Sequence, residues 1–71
     1  MREYLVIFEK AGNNYSAYVP DLPGCITTGK TPEETEHNIK EAIDLYLDTL
    51  RDEGKHIPEP VTKAKPISVA A

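Results

Sequence analysis

At 71 residues the chain has room for one small domain (1–71): chains of this size bury only about 60% of their extended surface and rarely draw more than roughly 3 to 5 kcal/mol from one core. A single Cys excludes an internal disulfide, and one Cys with two scattered His excludes structural zinc, which leaves oligomerisation as the outside source of stability. The net charge of -4 and a pI near 5.0 exclude a duplex-binding surface, which needs clustered Lys and Arg, and make a basic protein the easier partner.

The first predicted element covers 2–10, "REYLVIFEK", which is β-branched and aromatic with apolar residues on both alternating faces. Tyr4, Val6 and Phe8 lie on one face, Leu5 and Ile7 on the other. "AGNN" at 11–14 tolerates positive φ, and "YSAYV" at 15–19 completes a β-hairpin. In "PDLPG" at 20–24, Pro20 ends the second strand, Asp21 can accept backbone hydrogen bonds, Pro23 fixes φ, and Gly24 supplies a conformation other residues avoid. Leu22, held between two prolines, points either into the core or outward as an anchor. "CITTG" at 25–29 is the third antiparallel strand.

At "TPEE" the signals change together. Thr31 is an N-cap, Pro32 takes the first helical position, and Glu34 completes a capping box. The helix buries Thr35, Ile39, Ala42, Ile43, Tyr46, Leu47 and Leu50 at three-and-four spacing and exposes His37, Lys40, Glu41, Asp44, Asp48 and Arg51. Gly54 caps its end, and "IPEP" forbids continuation. In the closing "VTKAKPISVAA", Ile67 and Val69 alternate with Ser68 and Ala70, which predicts a short fourth strand at the sheet edge with Pro66 at its start.

The fold expected is therefore α+β, in order β-β-β-α-β, with a three-stranded antiparallel sheet, one helix and a short fourth strand. One helix cannot cover two faces of a sheet. The second apolar face is assigned to Tyr4, Val6 and Phe8 and predicts self-association as a homodimer or higher oligomer.

The segments "YLVIFEK", "YSAYVPDLPGCITTGKTPEETEHNIKEAIDLYLDTL" and "PEP" resemble the antitoxin domain of the HicB family, including its small stand-alone members. The resemblance covers nearly the whole chain, and its most specific part is "PDLPGCITTG" followed by "TPEE" and an "EAI" helix. It implies a truncated ribonuclease H-like fold without the catalytic apparatus. It also implies a type II antitoxin that binds and masks a small basic HicA-like ribonuclease toxin. Many HicB antitoxins add a C-terminal DNA-binding segment; here only a short tail follows Pro60, so no such segment and no direct nucleic acid binding are expected.

Cys25 has neither His placed to activate it, since His37 falls on the polar side of the helix and His56 in the loop after it; it reads as a buried strand residue. The acids lie mostly on a solvated helix face, so no metal, no cofactor and no enzymatic activity are expected. Between Glu33 and Asp52 the acids outnumber Lys40 and Arg51. Glu41, Asp44 and Asp48 at successive turns can stand in for phosphate against a cationic partner. With Asp21 and Leu22 at the corner, these are the candidate partner-binding residues. The alternative reading is an orphan homo-oligomeric scaffold or ligand-binding domain without a toxin. Met1 is followed at once by charged Arg2 and Glu3, and no apolar run is long enough to span a membrane, so a cytoplasmic protein is expected.

Overall fold

The computed structural model describes residues 2–71. The chain forms β1 (Ile7–Ala11), β2 (Asn14–Tyr18), β3 (Ile26–Gly29) and α1 (Pro32–Asp52), with the strands in one antiparallel sheet of order β1-β2-β3. The β1–β2 hairpin turns through Gly12, whose φ of 62° favours glycine. Ile7 pairs with Tyr18 and Ala11 with Asn14; on the other side Tyr15 pairs with Gly29 and Tyr18 with Ile26.

β1 begins at Ile7 rather than Arg2 because the ladder has no further partner. Beyond Tyr18 the Val19 amide donates to the Cys25 carbonyl at 3.1 Å, and Pro20 has no N–H to offer. Residues 19–25 form a closed corner in which Leu22 N–H donates to Val19 O and Cys25 N–H to Leu22 O, with Gly24 at φ 83°.

Both ends of α1 are set by local chemistry. Thr31, in extended backbone, accepts from the Glu34 amide at 3.0 Å, and Pro32 follows at the first helical position. At the other end Gly54 takes φ 67°, its N–H donates to Arg51 O and Lys55 N–H donates to Leu50 O, the paired bonds of a Schellman cap.

Ala17, Val19, Leu22, Cys25 and Ile39 form the core, with Tyr4, Val6, Ala42, Ile43, Tyr46 and Leu47 packed around it. Thr35 is the buried polar residue, and its hydroxyl donates to Thr31 O at 2.7 Å. β3 meets the helix at Gly29, where an added Cβ would lie 2.8 Å from Thr35 N and 2.9 Å from its Cα. α1 therefore lies over β3 and part of β2 and scarcely touches β1.

Two expectations are corrected. The fourth strand from Ile67 does not form: residues 55–71 carry no regular secondary structure, and Ile67 and Val69 are 72% and 79% exposed. The polypeptide after the helix is tied across one end of the sheet instead, as described below. Nor do Tyr4, Val6 and Phe8 face away from the helix. Phe8 pairs with core-facing Ala17, and Tyr4 and Val6 pack on the core, so β2 turns this set toward α1. The face opposite carries the cross-strand row Ile7, Tyr18 and Ile26, with Ile26 63% exposed.

Gly29→Ala should destabilise the fold by about 1 to 3 kcal/mol, because the backbone of Thr35 has to move. Urea denaturation checks this, and an unchanged midpoint would show that the β3–α1 approach is looser than described.

Candidate functional site

The corner at residues 19–25 puts its two central side chains, Asp21 and Leu22, to opposite uses. Leu22 is fully buried and is a core residue, so it offers no surface to a partner. The partner role expected of it does not fit this geometry. Asp21, partly exposed, accepts three hydrogen bonds from the far end of the chain: Val61 N–H and Thr62 N–H to Oδ2 at 3.0 Å each, and the Thr62 hydroxyl to Oδ1 at 2.6 Å. The Thr62 hydroxyl bond and then its amide bond lower the Asp21 pKa below its ordinary 3.8; desolvation opposes them, and the Val61 amide adds to the lowering.

Around the same end, Tyr4 OH donates to Pro58 O at 2.5 Å, and the Arg2 guanidinium reaches Ile57 O, Pro58 O and the Glu59 carboxylate. Residues 57–62 thus strap the sheet's open end. Sequence reasoning marked Asp21 as an acceptor but could not show that its donors lie forty positions on. Tyr4, Arg2, Val61 and Thr62 left no local signal of this role.

Glu41, Asp44 and Asp48 occupy the outer face of α1, and each of these three has a same-helix partner. His37 Nε2 lies 2.6 Å from Glu41 Oε1, Lys40 Nζ 3.1 Å from Asp44 Oδ2, and Arg51 Nη1 2.9 Å from Asp48 Oδ1. All six side chains are more than half exposed, and exposed pairs contribute only about 0 to 1 kcal/mol. The row is rigidly spaced by the helix yet weakly committed, so an incoming cation can replace the local one.

Two apolar grooves flank the helix. On the β1 side a groove of about 760 Å³ has a floor of Tyr4, Val6, Phe8, Ile39, Ile43 and Leu47, with Arg2, Glu36, Lys40, Asp44 and Arg51 at its rim. On the β3 side a shallower groove of about 420 Å³ runs past Cys25, Ile26, Leu45 and Tyr46. Burial pushes the Cys25 thiol pKa up, the reverse of what a nucleophile needs. Among the described residues no three His, Cys, Asp or Glu side chains are grouped to hold a metal ion, and no helix is long and apolar enough to cross a membrane.

A family model described as "HicB_like antitoxin of bacterial toxin-antitoxin system" matches residues 4–68. The chain belongs to this HicB-like antitoxin family. It is 45% identical over 65 residues to a UPF0150 protein of Helicobacter pylori, covering 90% of each chain. It is 46% identical over 57 residues to a UPF0150 protein of Thermoplasma acidophilum, covering 79% of this chain and 83% of that one. To the "Antitoxin HicB 2" of Photorhabdus laumondii it is 32% identical over 73 residues, which cover 96% of this chain but only 52% of that protein. No solved structure matches the chain significantly.

The lowered pKa gives this HicB-like domain a pH signature at Asp21. A depressed carboxylate stabilises the fold above its unfolded value, and that contribution is lost as pH falls through the folded value. On acidification below pH 3.8 the amide signals of Val61 and Thr62 should shift together with Asp21 protonation in NMR spectra. Amides that do not respond, or a shared midpoint above 3.8, would contradict the strap.

Proposed function

We propose that this HicB-like domain is the antitoxin of a type II toxin–antitoxin system, working in the cytoplasm by binding a small basic HicA-like ribonuclease and covering its RNA-cleaving surface. The observation that carries the reading is the row Glu41, Asp44 and Asp48 on the exposed face of a 21-residue helix. Carboxylates held at successive turns can stand in for phosphate against a cationic surface. Long-range attraction between an acidic face and a basic toxin also speeds encounter.

Inhibition on this reading is occlusion: the antitoxin carries out no chemistry, needs no metal or cofactor and makes no contact with nucleic acid itself. Family membership and the name of the Photorhabdus relative support the antitoxin role.

A second reading, an orphan homo-oligomeric scaffold or ligand-binding domain, is favoured by the open apolar groove between β1 and α1. The two readings separate on co-expression with the product of the neighbouring gene, followed by size exclusion with light scattering. The antitoxin reading predicts a stable complex with a small basic protein whose ribonuclease activity is lost on binding. It further predicts that reversing Glu41, Asp44 and Asp48 to Lys weakens binding by about tenfold or more, since like charges then face each other across the interface. A basic neighbour that stays active and unbound, or a triple variant that binds undiminished, would overturn it.

A further inference from the structure

The two flanks of α1 differ in charge, and the difference selects one of them for a basic partner. On the β3 side two shallow hollows share Ala42 and Leu45, so they form one trough between strand and helix. Among the described residues Glu41 is the one charged side chain lining it, whereas Arg2, Lys40 and Arg51 stand at the rim of the groove on the β1 side. We infer that the basic toxin docks in this trough by adding an extended basic segment as a strand on the outer edge of β3. The inference rests on the antitoxin reading and narrows it from an exposed helix face to one flank.

The chemistry of the flank follows from the helical repeat. At about 100° per residue, Glu34, Glu41, Asp48 and Asp52 all fall within about 60° of Leu45, and no Lys or Arg does. Glu34 and Asp52 are exposed and have no ion-pair partner among the described residues. His37 and Arg51 reach Glu41 and Asp48 from outside this strip, and Lys30, one residue beyond β3, lines neither hollow. Leu45, 69% exposed, is an apolar foothold in the middle of the acids. Asp44 instead stands at the rim of the opposite groove, beside its partner Lys40.

The strand edge supplies the other half of the surface. β3 has no partner on its outer side within the chain. Val19 N–H donates to Cys25 O, so the alternation of an antiparallel ladder makes Ala17 with Thr27 the next bonded pair and turns the main-chain groups of Ile26 and Thr28 outward. The Asn38 side chain agrees with this direction, donating from the helix to Thr28 O at 3.0 Å. That leaves the N–H and C=O of Ile26 and the N–H of Thr28 open to an incoming strand. Alternate side chains of that strand would face α1, where Lys or Arg meets the acids and an apolar residue meets Leu45. Those between them would pass beside Ile26, 63% exposed on the other sheet face. Carboxylates in this position repel phosphate, so the flank fits a basic protein and not a nucleic acid.

The test uses the full chain and the product of its neighbouring gene. Leu45→Lys with Asp52→Lys should weaken the complex by about tenfold or more, while Glu36→Lys, the same type of charge change on the opposite flank, should bind as the unaltered chain does. Leu45, Asp52 and Glu36 are all exposed, and helical circular dichroism checks that each variant is folded. Hydrogen exchange locates the contact: the Ile26 and Thr28 amides should exchange freely in the chain alone and become protected in the complex. A complex that survives the double variant, a Glu36→Lys chain weakened equally, or Ile26 and Thr28 amides that stay unprotected would overturn this docking site and leave the antitoxin reading standing. Amides already protected in the chain alone would also overturn it, by showing the edge filled by a second copy or by the chain's own tail. No complex with the unaltered chain would overturn the antitoxin reading and this site with it.

Discussion

Residues 19–25 close on themselves through three backbone hydrogen bonds, and the rest of the molecule is arranged around that closed corner. Leu22 enters the core from inside it and Asp21 stands on its outer side, so one short segment joins the interior to the strap. The corner ends β2 at Tyr18, which limits the sheet ladder and places the start of β3. It also receives the helix, since Tyr46 OH donates to Pro23 O at 3.0 Å.

The off-centre seat of α1 follows from two close approaches on the same side of the sheet. Gly29 admits Thr35, and Pro23 takes the Tyr46 hydroxyl; both pull the helix toward β3. The helix leaves β1 uncovered as a consequence, and the acids on its outer face stay clear of the sheet. Among the described residues the core has five buried apolar side chains, which gives a domain this small little reserve.

Much of this was legible because it is locally encoded. Thr31, Pro32 and Glu34 marked the helix start and Gly54 its end, and the structure has both. The buried stripe also emerged in outline, with Thr35 and Ile39 buried and Ala42, Ile43, Tyr46 and Leu47 packed at the core's margin, while Leu50 stays outside the core cluster. What depends on distant contacts was not legible. Alternation at Ile67 and Val69 gave a strand signal, but among the described residues no ladder partner lies beside them. Which face of 2–10 meets the helix is decided by Ala17 and Val19, not by that segment's own pattern. Composition showed an acidic helix, whereas the pairing of Glu41, Asp44 and Asp48 with His37, Lys40 and Arg51, three or four positions away, appears only in the geometry.

The corner's central place is tested most directly by Leu22→Ala, measured by urea denaturation together with amide hydrogen exchange. Replacing a fully buried Leu costs about 2 to 5 kcal/mol, comparable to the whole stability of a domain this small. The account predicts a chain largely unfolded without denaturant, or one that has lost protection at Val61 and Thr62 as well as in the core. A loss below about 1 kcal/mol, well under the usual range for such a cavity, with protection at Val61 and Thr62 retained, would contradict it.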